Sequence, residues 1–93
     1  MTYKVYMLLN CKNNVTYVGY TNNIDKRLSL HNKSKGAKFT RGRHWVLIYI
    51  EKHQTKKIAM KREYLLKKNR TLRYKIKMEY LNKIYENSYI TAI

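Results

Sequence analysis

Apolar and polar side chains alternate from Tyr3 to Leu9, which predicts a β-strand with Val5, Met7 and Leu9 on one face and Lys4, Tyr6 and Leu8 on the other. Asn10 to Asn14 is turn chemistry, since asparagine tolerates a left-handed backbone. Val15 to Tyr20, rich in β-branched and aromatic residues, predicts a second strand and an antiparallel hairpin. Tyr6 and Tyr17 can then share a face, although so long a turn does not fix the register.

The period then changes. Thr21, Asn22 and Asn23 are helix-cap candidates, and Asp25 suits a first turn. A helix to about Asn32 places Ile24, Arg27, Leu28 and His31 on one face, so Arg27 and His31 flank its buried stripe. Lys33 to His44 reads as a loop with Gly36 and Gly42 as flexible points. Trp45 to Ile50, an unbroken apolar run, reads as a buried strand. Thr55 is expected to cap a second helix to about Asn69, with Ile58, Ala59, Leu65 and Leu66 as its stripe, Arg62 inside it and Glu63 at its edge. Thr71 is expected to cap a third helix to about Glu86. That helix has two stripes: Leu72, Ile76, Tyr80 and Ile84, then Tyr74, Met78, Leu81 and Tyr85. Either the second stripe covers a partner protein or a sister subunit, or its tyrosines stay partly exposed. The order β-β-α-β-α-α describes one α+β domain over 1–93, a three-stranded, mostly antiparallel sheet flanked by helices.

Composition adds a partner. Hydrophobic residues at 44% and aromatics at 13% of 93 residues support a folded core rather than disorder. Lysine and arginine number 21 against 5 acidic residues, a net charge of +16. That excess favours an anionic partner, with nucleic acid first and an acidic membrane surface second. AT-biased coding would account for lysine over arginine, but it would equally permit glutamate, which is scarce. The single cysteine excludes an intrachain disulfide and a cysteine metal cage. No apolar run has a membrane-span length, and no signal-peptide core is visible, so a soluble, intracellular protein with no membrane role is expected.

Cutting a phosphodiester needs an activated water, a cation on the phosphate and usually a metal. Glu63 is the best candidate metal ligand, because Mg²⁺ takes hard oxygens and often only one or two protein carboxylates. Arg27 can make a forked contact with phosphate, and His31 has a side chain that titrates near neutrality. A tyrosine acting as a base needs a cationic neighbour. Each has a plainer reading: Tyr6 and Tyr17 as sheet packing, Arg27 as a solvated helix residue, His31 as a helix C-terminal charge, and Glu63 as an i, i+4 partner of Lys67. No P-loop, zinc finger or G-x-S-x-G is present.

The ordered set resembles the GIY-YIG nuclease family. Val5-Tyr6 and Tyr17-Val18-Gly19 are similar to the two halves of its signature, with Lys4 where the first glycine stands and Val18 for isoleucine. The likeness continues through Thr21-Asn22, Arg27-Leu28, His31-Asn32, Lys38-Phe39-Thr40-Arg41-Gly42 and Ala59-Met60-Lys61-Arg62-Glu63, covering about 3–75. It is greatest to small single-domain members, the UvrC-type nuclease domain and structure-specific endonuclease subunits. The resemblance implies metal-dependent DNA endonuclease activity in repair, recombination or processing, structure-guided or weakly sequence-specific. It implies Tyr17 as general base or relay, His31 as the group that accepts or orients that proton, Tyr6 lining the pocket, Arg27 on the phosphate, and Glu63 on one Mg²⁺ or Mn²⁺ ion. Lys33, Lys35, Lys38, Thr40, Arg41 and Arg43 are expected to bind DNA. The alternative is a non-catalytic basic nucleic-acid-binding module on the same fold.

Overall fold

The computed structural model describes residues 2–10, 12–33 and 44–92, with side chains to Glu86. Strands β1 (Tyr3–Asn10), β2 (Val15–Thr21) and β3 (Val46–His53) and helices α1 (Ile24–Asn32), α2 (Lys56–Lys68) and α3 (Arg70–Ala92) follow in the expected order. The sheet runs β2-β1-β3 with both pairings antiparallel, so β1 is central. That position explains its burial: Val5 to Leu9 are wholly enclosed. Val5 and Met7 pack with Val18 and, from the helices, Ala59, Leu66 and Ile76. Tyr6 and Leu8 pack on the opposite face with Trp45, Tyr17, Ile24 and Leu28. Helix α1 therefore covers one face, and α2 with α3 covers the other.

The hairpin register pairs Tyr6 with Gly19 and Leu8 with Tyr17, so the two tyrosines lie diagonally on one face. Asn14 closes the turn at φ 59°, in the left-handed region, and its N–H donates to the Asn10 carbonyl at 2.8 Å. Asn23 caps α1 by accepting from the Lys26 N–H at 3.1 Å, and Thr55 caps α2 by accepting from Ile58 at 3.2 Å.

Three local expectations are corrected. The apolar run after residue 44 is not a buried strand: β3 is an edge strand, reaches His53 and leaves Ile50 44% exposed. Trp45 precedes β3, is buried, and is held by Asn32, whose Nδ2 donates to its carbonyl at 3.1 Å while its N–H donates to Asn32 Oδ1 at 2.6 Å. Thr71 does not cap α3. The helix begins at Arg70, and Asn69 Oδ1 accepts from the Leu72 N–H at 3.0 Å, so one asparagine ends α2 and caps α3. Helix α3 also runs past Glu86 to Ala92. Its first stripe packs through Ile76 and Leu72, whereas Tyr74 and Tyr85 are exposed and every side chain from Asn82 to Glu86 faces solvent.

Arg62 does not join the apolar stripe of α2. It forks onto Glu51 of β3, with Nε at 2.9 Å and Nη2 at 3.1 Å, while Tyr49 Oη donates to the same carboxylate at 2.6 Å and His53 approaches at 3.0 Å. This clasp, led by the Arg62 bonds, holds the Glu51 carboxyl down at about 2. No described helix is long and apolar enough to cross a membrane.

Candidate active site

Because β2 is an edge strand, its outer side is open to residues arriving from both layers. A cavity of about 350 Å³ lies there, walled by Tyr17, Gly19 and Tyr20 of β2, Arg27 of α1, and Lys56 and Glu63 of α2. Three of the five expected catalytic residues thus share one cavity: Tyr17, Arg27 and Glu63. The Arg27 guanidinium is held charged first by the Tyr6 hydroxyl beside it, and it also feels Tyr17 and Glu63. Its Nε is buried and has no hydrogen-bond partner. A buried guanidinium N–H left unpaired is costly.

Tyr6 and His31 form a second layer. Both are wholly buried, and Tyr6 Oη lies 2.9 Å from His31 Nε2. Burial pushes the Tyr6 hydroxyl up to about 12, so it keeps its proton at neutral pH. Burial, assisted by the Arg27 charge, pushes His31 below its ordinary value and leaves the imidazole neutral. Tyr6 is therefore behind the cavity wall rather than part of it, a correction to its expected position, because its place on the central strand encloses it. The Tyr17 ring bridges the layers, with its centroid 5.0 Å from His31 and 6.4 Å from Tyr6.

Gly19 is what lets these layers meet. A Cβ there would stand 2.5 Å from Tyr6 Oη, 2.7 Å from its Cζ and 3.1 Å from Tyr17 Cε2. Only hydrogen leaves room for the Tyr6 ring to cross its partner strand.

Glu63 is the carboxylate on the cavity wall, and its side chain is 19% exposed. Lys67 Nζ lies 3.1 Å from it, so the plain i, i+4 pairing is present as well. No cluster of three or more His, Cys, Asp or Glu suited to a metal occurs among the described residues. A single carboxylate fits an ion that keeps most of its waters, as Mg²⁺ does, and not a zinc site. Lys56, Tyr3 and Tyr20 on the wall escaped the sequence reading; Lys56 follows directly on the Thr55 cap, which aims it off the first turn of α2. Among the expected DNA-binding residues, Lys33 is exposed at the end of α1, while Lys35, Lys38, Thr40, Arg41 and Arg43 lie outside the described residues.

Comparison with known proteins identifies the family. The GIY-YIG catalytic domain model matches residues 2–77. A UPF0213 protein of Bacillus cereus is 43% identical over 79 residues, 84% of this chain and 79% of that protein. The UPF0213 protein YazA of Bacillus subtilis is 47% identical over 64 residues, covering 68% of this chain and 65% of that one. The solution NMR structure of a UPF0213 protein from Bacillus halodurans superposes with a TM-score of 0.50 at 37% identity, covering 82% of each chain. The family match over residues 2–77, with relatives that align over most of the chain, makes this protein a member of the GIY-YIG catalytic domain family, among its UPF0213 proteins.

Proposed function

We propose that the protein is a divalent-metal-dependent DNA endonuclease whose reaction takes place in the cavity at the outer edge of β2. The observation that carries this reading is that Tyr17, Arg27 and Glu63, brought from three elements, share the wall of one cavity. Arg27 receives the phosphate, where its fork neutralises non-bridging oxygens that gain charge as water attacks. With its own proton first lost to solvent, Tyr17 takes the proton of the attacking water, the P–O bond to the leaving sugar oxygen breaks, and that oxygen is protonated from solvent. His31, neutral and buried, holds the Tyr6 hydroxyl, and together they fix the ring against which Tyr17 is set. Glu63 is the residue that would hold one Mg²⁺ or Mn²⁺. Such an ion supplies Lewis-acid stabilisation of phosphate charge. The net charge of +16 draws DNA to the site and weakens its hold as salt rises.

The test is cleavage of branched, nicked and plain duplex DNA with Mg²⁺ or Mn²⁺ by wild type, Tyr17→Phe and Arg27→Ala. Each variant should lose roughly 100-fold or more in rate, the usual scale for a removed proton acceptor or charge-stabilising donor. Unaltered cleavage by both variants would remove the mechanism. DNA binding by wild type with no cleavage of any substrate would favour a binding module on the same fold.

A further inference from the structure

The cavity at β2 is one of several depressions that follow the same strand edge. Beyond Tyr17, a second depression is walled by Thr16, Lys67 and Arg73, and a third by Thr16, Arg70, Arg73 and Lys77. Tyr17 belongs to both the first and the second, and Arg73 to both the second and the third, so they form one path from the cavity to the first turns of α3. On the other side, Thr21 and Arg27 continue the cavity into a depression over the first turn of α1. From Thr21 to Thr16 the edge spans roughly 17 Å at about 3.3 Å per residue, close to five nucleotides of one strand at about 3.4 Å each.

The two arms differ in charge. Four cations wall the α2–α3 arm, Lys67 among them paired with Glu63, against two, Lys26 and Arg27, on the α1 arm. Arg73 is already fixed there: Nη1 donates to the Leu66 carbonyl at 2.8 Å and also to the Lys67 carbonyl, closing the C-terminus of α2. An arginine held this way gives up little side-chain freedom on meeting a phosphate. The junction that ends α2 and begins α3 thus sets Arg70, Arg73 and Lys77 in line with the cavity.

We infer that this arm is a phosphate-backbone track, holding the DNA that flanks the scissile phosphate on the α3 side of the cut. The inference rests on the reading of the cavity as a DNA-cleaving site, and it assigns α3 a nucleic-acid role in its first two turns. Position, rather than the overall positive charge, is what makes the arm distinct.

The experiment compares two pairs of substitutions that remove equal charge. Arg70→Gln/Lys77→Gln removes two of the arm's four cations, whereas Lys57→Gln/Lys61→Gln removes two exposed α2 cations that wall none of these depressions. Binding of a labelled 20-base-pair duplex is measured in EDTA by fluorescence anisotropy across a salt series. Because the arm variant can no longer neutralise two phosphates, its log–log salt slope should shrink by about 2, and that of the control pair should stay near wild type. Equal changes in the two variants, or no change in either, would overturn the track. Cleavage assays keep this result separate from the nuclease reading. An arm-specific slope without any cleavage retains the track and removes the nuclease, and cleavage with equal slopes does the reverse.

Discussion

Gly19→Ala is the substitution through which the two tyrosine layers are best probed. The new Cβ would lie 2.5 Å from Tyr6 Oη, so the hydroxyl must retreat about 0.9 Å to reach ordinary contact at 3.4 Å. Tyr6 has nowhere to go: it is wholly buried on the central strand, among Leu8 and Trp45, with its hydroxyl 2.9 Å from a buried imidazole. Overpacking of this kind costs about 1–3 kcal/mol, and breaking the buried hydrogen bond about 1–3 kcal/mol more. The stiffer unfolded chain returns up to about 1 kcal/mol. The net loss should be about 1–6 kcal/mol, with the middle of these ranges at about 3–4 kcal/mol, or a Tm lowered by on the order of 10 °C or more in a domain of this size. Thermal unfolding followed by circular dichroism reads it directly. In a Tyr6→Phe background the atom at 2.5 Å is gone, so part of the cost should disappear, with a coupling of about 1 kcal/mol in the double-mutant cycle. An identical cost in both backgrounds, or none, would refute the idea that Gly19 exists to admit Tyr6.

Other outcomes follow from neighbouring contacts. Burial keeps His31 below its unfolded value of 6.5, so the unfolded chain binds the extra proton first and stability falls as pH drops below 6.5; Tm measured from pH 7.5 to 5 should show this slope, and His31→Gln should flatten it. Glu51 runs the same way at lower pH. Held at about 2 against an ordinary 4.5, it contributes about 3 kcal/mol that is present above pH 4.5 and lost between there and 2, a loss that Arg62→Met should largely abolish in acid-unfolding curves. Asn32→Ala strips both bonds from the Trp45 backbone and should cost about 2 kcal/mol in urea unfolding. Lys67→Met frees Glu63 from its ion pair, so Mg²⁺ should raise the Tm of this variant more than that of wild type.

Much of the fold is legible in the sequence because its signals are local. Alternation at β1, the asparagine turn and the Asn23 and Thr55 caps each depend on a few neighbouring residues, and the structure follows them. What local pattern misses is position in the sheet. An apolar run such as 45–50 does not say whether its strand is central or at an edge, and here the buried place goes to β1. Arg62 escapes for a similar reason, since its partner Glu51 is on another element. In the site, periodicity turns Arg27 and His31 inward. It does not reveal that they divide, with Arg27 on the cavity wall and His31 enclosed behind it with Tyr6. Such depth depends on strand order and helix placement, which no single stretch encodes.

Whether the cavity beside β2 cleaves phosphodiesters with Glu63 holding the ion is read by single-turnover cleavage of end-labelled DNA. Wild type and Glu63→Gln would be compared with and without Mg²⁺, after circular dichroism has established that both are folded. Wild type should cleave only in the presence of the ion, and Glu63→Gln should be slower by roughly 100-fold or more, on the scale of a removed transition-state contact. Equal rates for the two proteins, or wild-type cleavage that persists in EDTA, would contradict it.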